Sequence, residues 1–410
     1  MERVQGTVEK GYGQVAKVLA EQLEQTHGGA AVSVYHKGRK VVDVWGGRRD
    51  RAGNPWEQDT LSISFSTTKG VTATLLHMMV DRGLLGYDDP VAKHWPEFAE
   101  GGKDAITVRH LLTHTANLYD VRSLIDHADQ LNDWEEMTRR LAQRTPPRAP
   151  TKASTYHAMT YGWLVGEVIR RVAGDGRTFA QIVQDELAVP LSLDGLFVGV
   201  PDEHHPRVAE LLMGGDPFGA KKSGENKNKK NDRAKMIARA RKGMKLAEKV
   251  GIKYDTRSFA DAMMAPGFNP RSLNTPESLR ASMPAVNGAF TARSLAKMYA
   301  ALAGGGQIDG VRILSEETLQ EATRRHIKTV DRVIPVPMNW RLGYHQPFVL
   351  ARRPPRSFGH FGFGGSGGWA CPERNLSVAL TVNSGTGSPW GDLRIMRIGR
   401  AALKAADRMG

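Results

Sequence analysis

Ser66 and Lys69, three residues apart in the stretch LSISFSTTKG (residues 61–70), are the pair whose types and spacing most directly suggest chemistry. Residues i and i+3 of a helix share a face, so the lysine amine can reach the serine oxygen. Burial disfavours a charged lysine, and the neutral amine can then accept the serine proton. N–H groups at the helix N-terminus would stabilise an oxyanion on an attacked carbonyl. The pair therefore predicts an activated nucleophile, although serine is also a preferred helix N-cap.

Other motifs compete for the nucleophile. A second S-x-x-K, Ser294 and Lys297, lies in an amphipathic segment with no strand before it, and we interpret it as structural. Residues 364–368 match the G-x-S-x-G motif of α/β-hydrolases around Ser366, but that motif requires a following helix and a strand-like run follows here. From Gly362 the same glycines match G-x-G-x-x-G, again without the βαβ unit that a dinucleotide site requires.

No metal or cofactor is predicted. His110 and His114 form an i,i+4 pair in RHLLTH, but the sequence offers no H-E-x-x-H and no obvious third ligand, so local hydrogen bonds are favoured over metal binding. A single cysteine, Cys371, excludes an intrachain disulfide. Its place beside a strand-like run predicts a small buried side chain rather than a reactive thiol.

The net charge of +14 is concentrated in one segment. Residues 221–253 contain thirteen Lys or Arg against three Asp or Glu, which accounts for +10 and leaves +4 for the rest. No recognisable nucleic-acid-binding module accompanies this charge, so we expect no nucleic-acid partner. We interpret the segment as an insertion that could contact an anionic surface weakly.

The first 25 residues are charged throughout and lack the apolar core of a secretory signal, and no later stretch is apolar enough to span a bilayer. The sequence therefore predicts a cytoplasmic protein. At 410 residues and 40% hydrophobic it can bury a sizeable core. The sequence leaves its oligomeric state open.

The order of elements predicts an α+β fold. A helix over residues 8–26 precedes a hairpin that turns at Lys37 and Gly38. Several strand-like runs, among them RLGYHQ (residues 341–346), and a helix over 392–406 end the chain. Strands at both ends with helices between them indicate one discontinuous domain. We assign residues 1–70 and 285–410 to an α/β subdomain, 71–218 to a helical subdomain and 219–257 to the basic insertion.

Four motifs in order give the chain a resemblance to a known superfamily. They are FSTTKG before a helix, ITVRHLLTHTANL, TYHAMTYGWLVGEVIRRVAG, and FGHFGFGGSGGW followed by LSVALTVN. This order resembles the serine β-lactamase-related proteins, and within them the family VIII carboxylesterases, which are similar to class C β-lactamases and DD-peptidases. The resemblance covers the chain from about residue 5 to its C-terminus outside the basic insertion. It implies a β-lactamase-like fold, with an antiparallel sheet flanked by helices and a helical subdomain.

The resemblance also implies roles. Ser66 would be the acylated nucleophile, Lys69 its proton partner, and Tyr156 the tyrosine that completes the base and protonates the leaving group. A phenol has a pKa near 10, so Tyr156 would need a nearby Lys69 ammonium to lower it. His360, Phe361 and Gly362 occupy the position of the family's Lys-Thr-Gly, with His360 able to contact the substrate or Tyr156.

The oxyanion hole would be formed by the N–H groups of Ser66 and Phe363, and Gly362 would belong to the substrate-binding strand. Two departures favour esters over β-lactams, because Ala158 and His360 replace the Asn and Lys that orient a lactam amide and its carboxylate. Asn117 stands where members of the family commonly have a glycine.

The sequence thus predicts a serine hydrolase acting on small, short-acyl carboxylic esters through an acyl-enzyme. Amide hydrolysis, acyl transfer and weak β-lactamase activity are the alternatives on the same fold. A non-catalytic binding protein that works through the basic insertion is the alternative from another class. Intact Ser66, Lys69 and Tyr156 argue against it.

Overall fold

The computed structural model describes residues 4–212, 255–349, 354–385 and 393–410. The predicted basic insertion, 219–257, lies outside these residues except for its last three. Within the described ranges, no helix combines the length and the apolar character needed to cross a membrane.

Strands lie towards both ends of the chain and helices between them. The strands are β1 (Gln5–Val8), β2 (Gly29–His36), β3 (Arg39–Gly47), β4 (Ser62–Ile63), β5 (Leu196–Phe197), β6 (Ala289–Phe290), β7 (Gln307–Ile308), β8 (Val311–Arg312), β9 (Phe358–Phe361), β10 (Gly367–Cys371) and β11 (Leu376–Val382). The α-helices are α1 (Gly13–Glu24), α2 (Thr68–Asp81), α3 (Val91–His94), α4 (Val108–Leu112), α5 (Trp134–Gln143), α6 (Tyr161–Ala173), α7 (Phe179–Val183), α8 (Thr256–Met263), α9 (Pro276–Arg280), α10 (Ala292–Ala303), α11 (Glu316–Thr323) and α12 (Arg394–Met409).

The main sheet joins the two ends of the chain. Its six strands are antiparallel in the order β1-β3-β2-β11-β10-β9, so β11 from the C-terminal part pairs with β2 from the N-terminal part. The β2–β3 hairpin turns at Lys37 and Gly38, which have φ values of 52° and 76°, as the twist-matched two-residue hairpin turn requires. The predicted α+β fold, with an antiparallel sheet flanked by helices, is confirmed.

Helices cover both faces of this sheet. On one face, α1 and α12 pack on the valines of the central strands, including Val32, Val34 and Val44. On the other face, α10 packs on β2, β10 and β11, and the Ser377 hydroxyl donates to the carbonyl of Ala296 at 2.7 Å. Because both faces are buried, the central strands read as nearly continuous apolar or small residues.

Helix α2, which carries Lys69, is the most enclosed helix next to the site. Its residues from Thr68 to Met79 are all buried, and it packs against α6 and α11. Burial along nearly its whole length places this helix inside the domain. Gly162 lets α6 approach the neighbouring chain closely, since a Cβ there would lie 2.7 Å from the backbone nitrogen of Ala285.

Two predicted elements were wrong in detail. The N-terminal helix begins at Gly13 and not at residue 8, because residues 5–8 form the edge strand β1 against β3. The predicted strand at 341–346 is irregular, and only His345 bridges to Gly359. The positive φ of Gly343, 74°, bends the chain there.

Asn117 occupies a left-handed backbone position, with φ of 58°. Asparagine tolerates this conformation better than most residues, so it can replace the family's glycine there. Its amide also donates to the carbonyl of Ala149 at 2.8 Å, which ties two loops together.

Candidate active site

Ser66 lies on a short 3₁₀ turn, Phe65–Thr67, between β4 and α2. Phe65 has a φ of 47°, a left-handed conformation that costs an aromatic residue about 1–3 kcal/mol. Thr68 stabilises the turn by donating to the carbonyl of Phe65 at 2.6 Å. The predicted strand-to-helix junction is therefore a strained turn that keeps the Ser66 side chain partly exposed.

The segment after β9 holds this turn from the other side. A Cβ on Gly362 would lie 2.2 Å from the carbonyl oxygen of Ser64, so only glycine fits. Ser366 is fully buried, donates to that carbonyl at 2.8 Å and lies 3.1 Å from the Thr67 hydroxyl. A strand, β10, follows it in place of a helix. Ser366 thus stabilises the turn through hydrogen bonds and is not placed as a nucleophile elbow. The side of Gly362 where a Cβ would lie faces protein backbone and not substrate.

The other S-x-x-K pair has different partners. The Ser294 hydroxyl donates to Asp194 at 3.0 Å and accepts from the backbone N–H of Gly195 at 3.1 Å. Lys297 pairs with Asp309 at 2.8 Å. The Ser294 hydroxyl and the Lys297 amine therefore bind other residues, whereas Ser66 and Lys69 contact each other.

Lys69 is fully buried, and its Nζ contacts three oxygen atoms. It lies 3.0 Å from the Ser66 Oγ, 2.7 Å from the Ala158 carbonyl and 3.1 Å from the Ala285 carbonyl. Burial lowers the pKa of Lys69 well below its usual value. A neutral amine has two N–H groups for the two carbonyls and one lone pair, which then faces Ser66. The site is therefore arranged for a neutral Lys69 that accepts the serine proton.

Tyr156 reaches the same oxygen atom. Its hydroxyl lies 2.9 Å from the Ser66 Oγ, and the Lys69 Nζ lies 4.9 Å from the centre of its ring. Burial raises the pKa of Tyr156; the hydrogen bond with Ser66 opposes this rise and the charge of Asp331 adds to it. This direction is opposite to the predicted one, because burial disfavours the phenolate and no charge on Lys69 offsets that effect on the pKa. Tyr156 is thus arranged as a proton donor.

A carboxylate that the sequence analysis missed fixes Tyr156 in place. Asp331 is fully buried and accepts hydrogen bonds from the backbone N–H groups of Tyr156, Val333 and Ile334 at 3.2, 2.8 and 3.0 Å. It also accepts from the Trp340 indole at 3.3 Å. The Trp340 ring stacks on Tyr156 with centroids 5.5 Å apart and an angle of 12°. Asp331 therefore orients both the tyrosine and the ring that packs on it.

Four buried histidines lie in this region: the rings of His114, His345 and His360 contact Tyr156 or Trp340, and the ring of His157 stacks on His114. Burial lowers the pKa of each, to about 3 for His157 and about 4 for His345. They are therefore neutral at physiological pH and add no charge beside Lys69. In the described ranges, no group of His, Cys, Asp or Glu side chains is arranged to hold a metal ion.

His360 lies beside Tyr156, not in the cavity at Ser66. Its ring stacks on the Tyr156 ring with centroids 6.3 Å apart, and its Nδ1–H donates to the Phe361 carbonyl at 2.9 Å. Its Nε2 is buried and has no partner among the described residues. This contact with Tyr156 is one of the two contacts predicted for His360.

Phe363 lines the same cavity as the nucleophile. The rings of Phe65 and Phe363 meet edge to face with centroids 5.5 Å apart, and both residues line a cavity that opens at Ser66. The structure thus brings Ser66, Lys69, Tyr156 and Phe363 together. Asp331 and Trp340 complete the site, but no sequence pattern marks either residue.

Sequence comparison finds a family model and relatives that match most of this chain. A family model described as Beta-lactamase matches residues 15–403. The esterase/beta-lactamase LipL of Mycobacterium tuberculosis (strain ATCC 25618 / H37Rv) is 39% identical over 386 residues, covering 93% of this chain and 83% of LipL.

Solved structures show the same fold. A crystal structure of a family VIII carboxylesterase is 31% identical, with a TM-score of 0.84, and the alignment covers 98% of this chain and 99% of that one. A penicillin-binding protein homologue from Caulobacter crescentus is also 31% identical, with a TM-score of 0.81 and the same coverage of both chains.

Proposed function

Because this chain belongs to the beta-lactamase family, we propose that it is a serine hydrolase that cleaves small carboxylic esters through an acyl-enzyme on Ser66. One observation carries the proposal. The Ser66 Oγ lies within hydrogen-bonding distance of both the Lys69 amine, at 3.0 Å, and the Tyr156 hydroxyl, at 2.9 Å. A nucleophile with a base and a proton donor at its oxygen is the arrangement that acyl transfer requires.

Acylation begins with a proton transfer. The neutral Lys69 amine takes the Ser66 proton while the serine oxygen bonds to the ester carbonyl carbon. The carbonyl oxygen becomes an oxyanion, which the N–H groups of Ser66 and Phe363 stabilise. The tetrahedral intermediate then loses the alkoxide, which receives the Tyr156 proton. The proton that Lys69 took from Ser66 then passes to the Tyr156 phenolate, so both groups are reset.

Deacylation repeats these steps with water in place of serine. Lys69 takes a proton from the attacking water, and the carbon–oxygen bond to Ser66 breaks as the serine oxygen regains a proton. The carboxylic acid leaves. Burial keeps the pKa of Lys69 low, so the neutral amine serves as the base in both halves of the reaction.

Hydrolysis of p-nitrophenyl butyrate by Ser66→Ala, with Ser294→Ala and Ser366→Ala as matched controls, tests this proposal. We expect hydrolysis to fall to background in Ser66→Ala alone among folded variants. Ser294→Ala should keep most of the activity, because the Ser294 hydroxyl hydrogen-bonds Asp194 and does not contact Ser66 or Lys69. Full activity in Ser66→Ala would reject the mechanism.

β-Lactam hydrolysis is the second candidate, because the name of the relative LipL includes both activities. Ala158 argues for a weaker lactamase than esterase, since its methyl group cannot hydrogen-bond a lactam amide as the family's asparagine does. An ester also needs less protonation of its leaving group. We therefore place ester hydrolysis first.

A further inference from the structure

Helices α1 and α12 border a surface groove that shares no residue with the cavity at Ser66. The groove has a volume of about 320 Å³. Within the described ranges its lining contains four cations, five uncharged residues and no carboxylate, so the groove presents positive charge only. The lining of this basic groove is Gly11, Gln14, Val18, Arg397, Arg400, Ala401, Lys404, Ala405 and Arg408.

The cations follow one side of α12. From Arg397 to Arg408 they recur every three or four residues, which places them on the same side of a helix over about 16 Å. Ile398 and Leu403 of the same helix are fully buried in the core against the main sheet. The apolar side of α12 is therefore occupied by the protein's own core, and the basic side faces solvent.

Most of this charge is not neutralised by the protein. Arg397 donates to Glu21 of α1 at 2.8 Å, and the carboxylate of Asp407 is bound by Arg374 at 2.6 Å. The other three cations of the groove are exposed and have no ion pair in the described ranges: Arg400, Lys404 and Arg408. Like charges three or four residues apart on a helix repel each other, so an anionic partner would stabilise this surface.

Two exposed apolar side chains lie at the end of the groove. Met409, the last residue of α12, is 50% exposed and lies beside Gly11, since a Cβ on Gly11 would be 2.7 Å from the Met409 sulfur. Val8, which ends β1 three residues before Gly11, is 37% exposed. Cations next to exposed apolar side chains are typical of protein surfaces that bind at a membrane–water interface.

We infer that the basic groove, together with Met409 and Val8, binds the surface of a bilayer that contains anionic phospholipids. Headgroup phosphates bind Arg400, Lys404 and Arg408, and the two apolar side chains enter the headgroup region. Because the apolar side of α12 stays in the core, the helix lies on the membrane without inserting, and salt weakens the contact. The inference is independent of the proposed function.

Two other occupants fit the groove less well. A second copy of this chain carries a net charge of +14 and would be repelled. A soluble polyanion is attracted to the cations but does not bury Met409 and Val8. A bilayer with anionic headgroups matches both the charge and the exposed apolar side chains.

Sedimentation with lipid vesicles tests the inference on the full chain. We expect wild type to bind vesicles of equal parts phosphatidylcholine and phosphatidylglycerol, and not vesicles of phosphatidylcholine alone. Each cation next to an anionic membrane contributes about fivefold in affinity, so the triple variant Arg400→Gln, Lys404→Gln and Arg408→Gln should bind about 100-fold more weakly. These three side chains are exposed, so the thermal unfolding of the variant should match that of wild type.

A second triple variant controls for total charge. Arg122→Gln, Lys152→Gln and Arg325→Gln remove three exposed cations that belong to neither α1 nor α12, and this variant should bind the anionic vesicles nearly as tightly as wild type. Both variants retain residues 221–253, so any contribution of that basic segment is the same in both. Equal loss in both variants, unchanged binding in the first, or no binding by wild type would overturn the inference.

Met409→Ser separates a membrane from a soluble polyanion. It should weaken binding to the anionic vesicles by about fivefold, because part of an apolar side chain no longer leaves water, and should leave binding to poly-L-glutamate unchanged. Leu84→Ser, at a 45% exposed residue outside the groove, is the matched control and should change neither. Unchanged vesicle binding in Met409→Ser, or binding of poly-L-glutamate through the three groove cations without vesicle binding, would contradict a bilayer as the partner.

Discussion

The carboxylate of Asp331 accepts a hydrogen bond from the backbone N–H of Tyr156 at 3.2 Å, across 175 residues of sequence. The same carboxylate accepts from the indole of Trp340, whose ring stacks on that tyrosine. A group that holds both the backbone and the packing partner of a proton donor controls where its hydroxyl points. Small displacements of a catalytic group have large effects on rate.

Asp331→Asn should therefore lower kcat more than it raises KM. The amide turns one accepting oxygen into an NH₂ group that faces N–H donors, so at least one buried donor loses its partner. We expect kcat for p-nitrophenyl butyrate to fall by about 10- to 100-fold, and the free energy of unfolding to fall by about 1–3 kcal/mol. Loss of stability with unchanged kcat would mean that Asp331 has only a structural role.

The pKa of Lys69 should appear in stability as well as in activity. Burial lowers its pKa in the folded state well below the unfolded value. Below a pH of about 10.4, Lys69 is protonated in the unfolded chain. In the folded protein it stays neutral until the pH falls to its lowered pKa. Between these two pKa values, lowering the pH therefore decreases the free energy of unfolding. Within that window, the free energy of unfolding of wild type minus that of Lys69→Met should rise by about 1.4 kcal/mol per pH unit.

Denaturant unfolding of both proteins between pH 7 and 10 measures this difference, and the other ionisable groups cancel in the subtraction. A difference that does not change with pH would mean that Lys69 is charged in the folded protein. Lys69→Arg should abolish most activity, because a guanidinium stays protonated and cannot act as the base.

Tyr156→Phe should depend on the leaving group. Removing the phenol leaves the departing alkoxide without its proton donor, so hydrolysis of an ethyl ester should fall by about two to four orders of magnitude. A p-nitrophenyl ester, whose leaving group is a stable anion, should lose much less. Equal losses on both substrates, measured as kcat/KM on one preparation, would show that Tyr156 does not protonate the leaving group.

Short-chain esters should be cleaved far faster than the β-lactam nitrocefin. The described lining of the cavity has no cation for the lactam carboxylate and no amide at Ala158. Ala158→Asn should shift the ratio of kcat/KM values towards nitrocefin, because it restores a hydrogen-bonding group beside Ser66. Comparable values for both substrates in wild type would refute this basis for selectivity.

The sequence predicts those parts of the site whose signal is local. Ser66 and Lys69 are one helical turn apart, so their contact follows from spacing alone. Tyr156 could be found only through resemblance, since no periodicity connects it to residue 66. The order of strands and helices was likewise sufficient to predict one discontinuous α+β domain, whereas the antiparallel sheet was predicted only through the resemblance.

Features that depend on tertiary contacts could not be predicted from the sequence. Asp331 is a lone acidic residue in TVDRVIP, and its role depends on a partner 175 residues away. The direction of the Tyr156 pKa shift is set by the burial of the phenol, which the sequence does not show. Edge strand β1 was missed because its four residues are exposed and carry no apolar alternation.

The most direct test of the account is to locate the covalent acyl group. After reaction with an alkyl fluorophosphonate, trypsin should release residues 52–69, which contain Ser62, Ser64 and Ser66. Fragment-ion masses distinguish these serines. We predict an adduct on Ser66 in wild type, little or none in Lys69→Arg, and no adduct on the peptides that contain Ser294 or Ser366. An adduct on another serine, or undiminished labelling of Lys69→Arg, would contradict a nucleophile at Ser66 activated by a neutral Lys69.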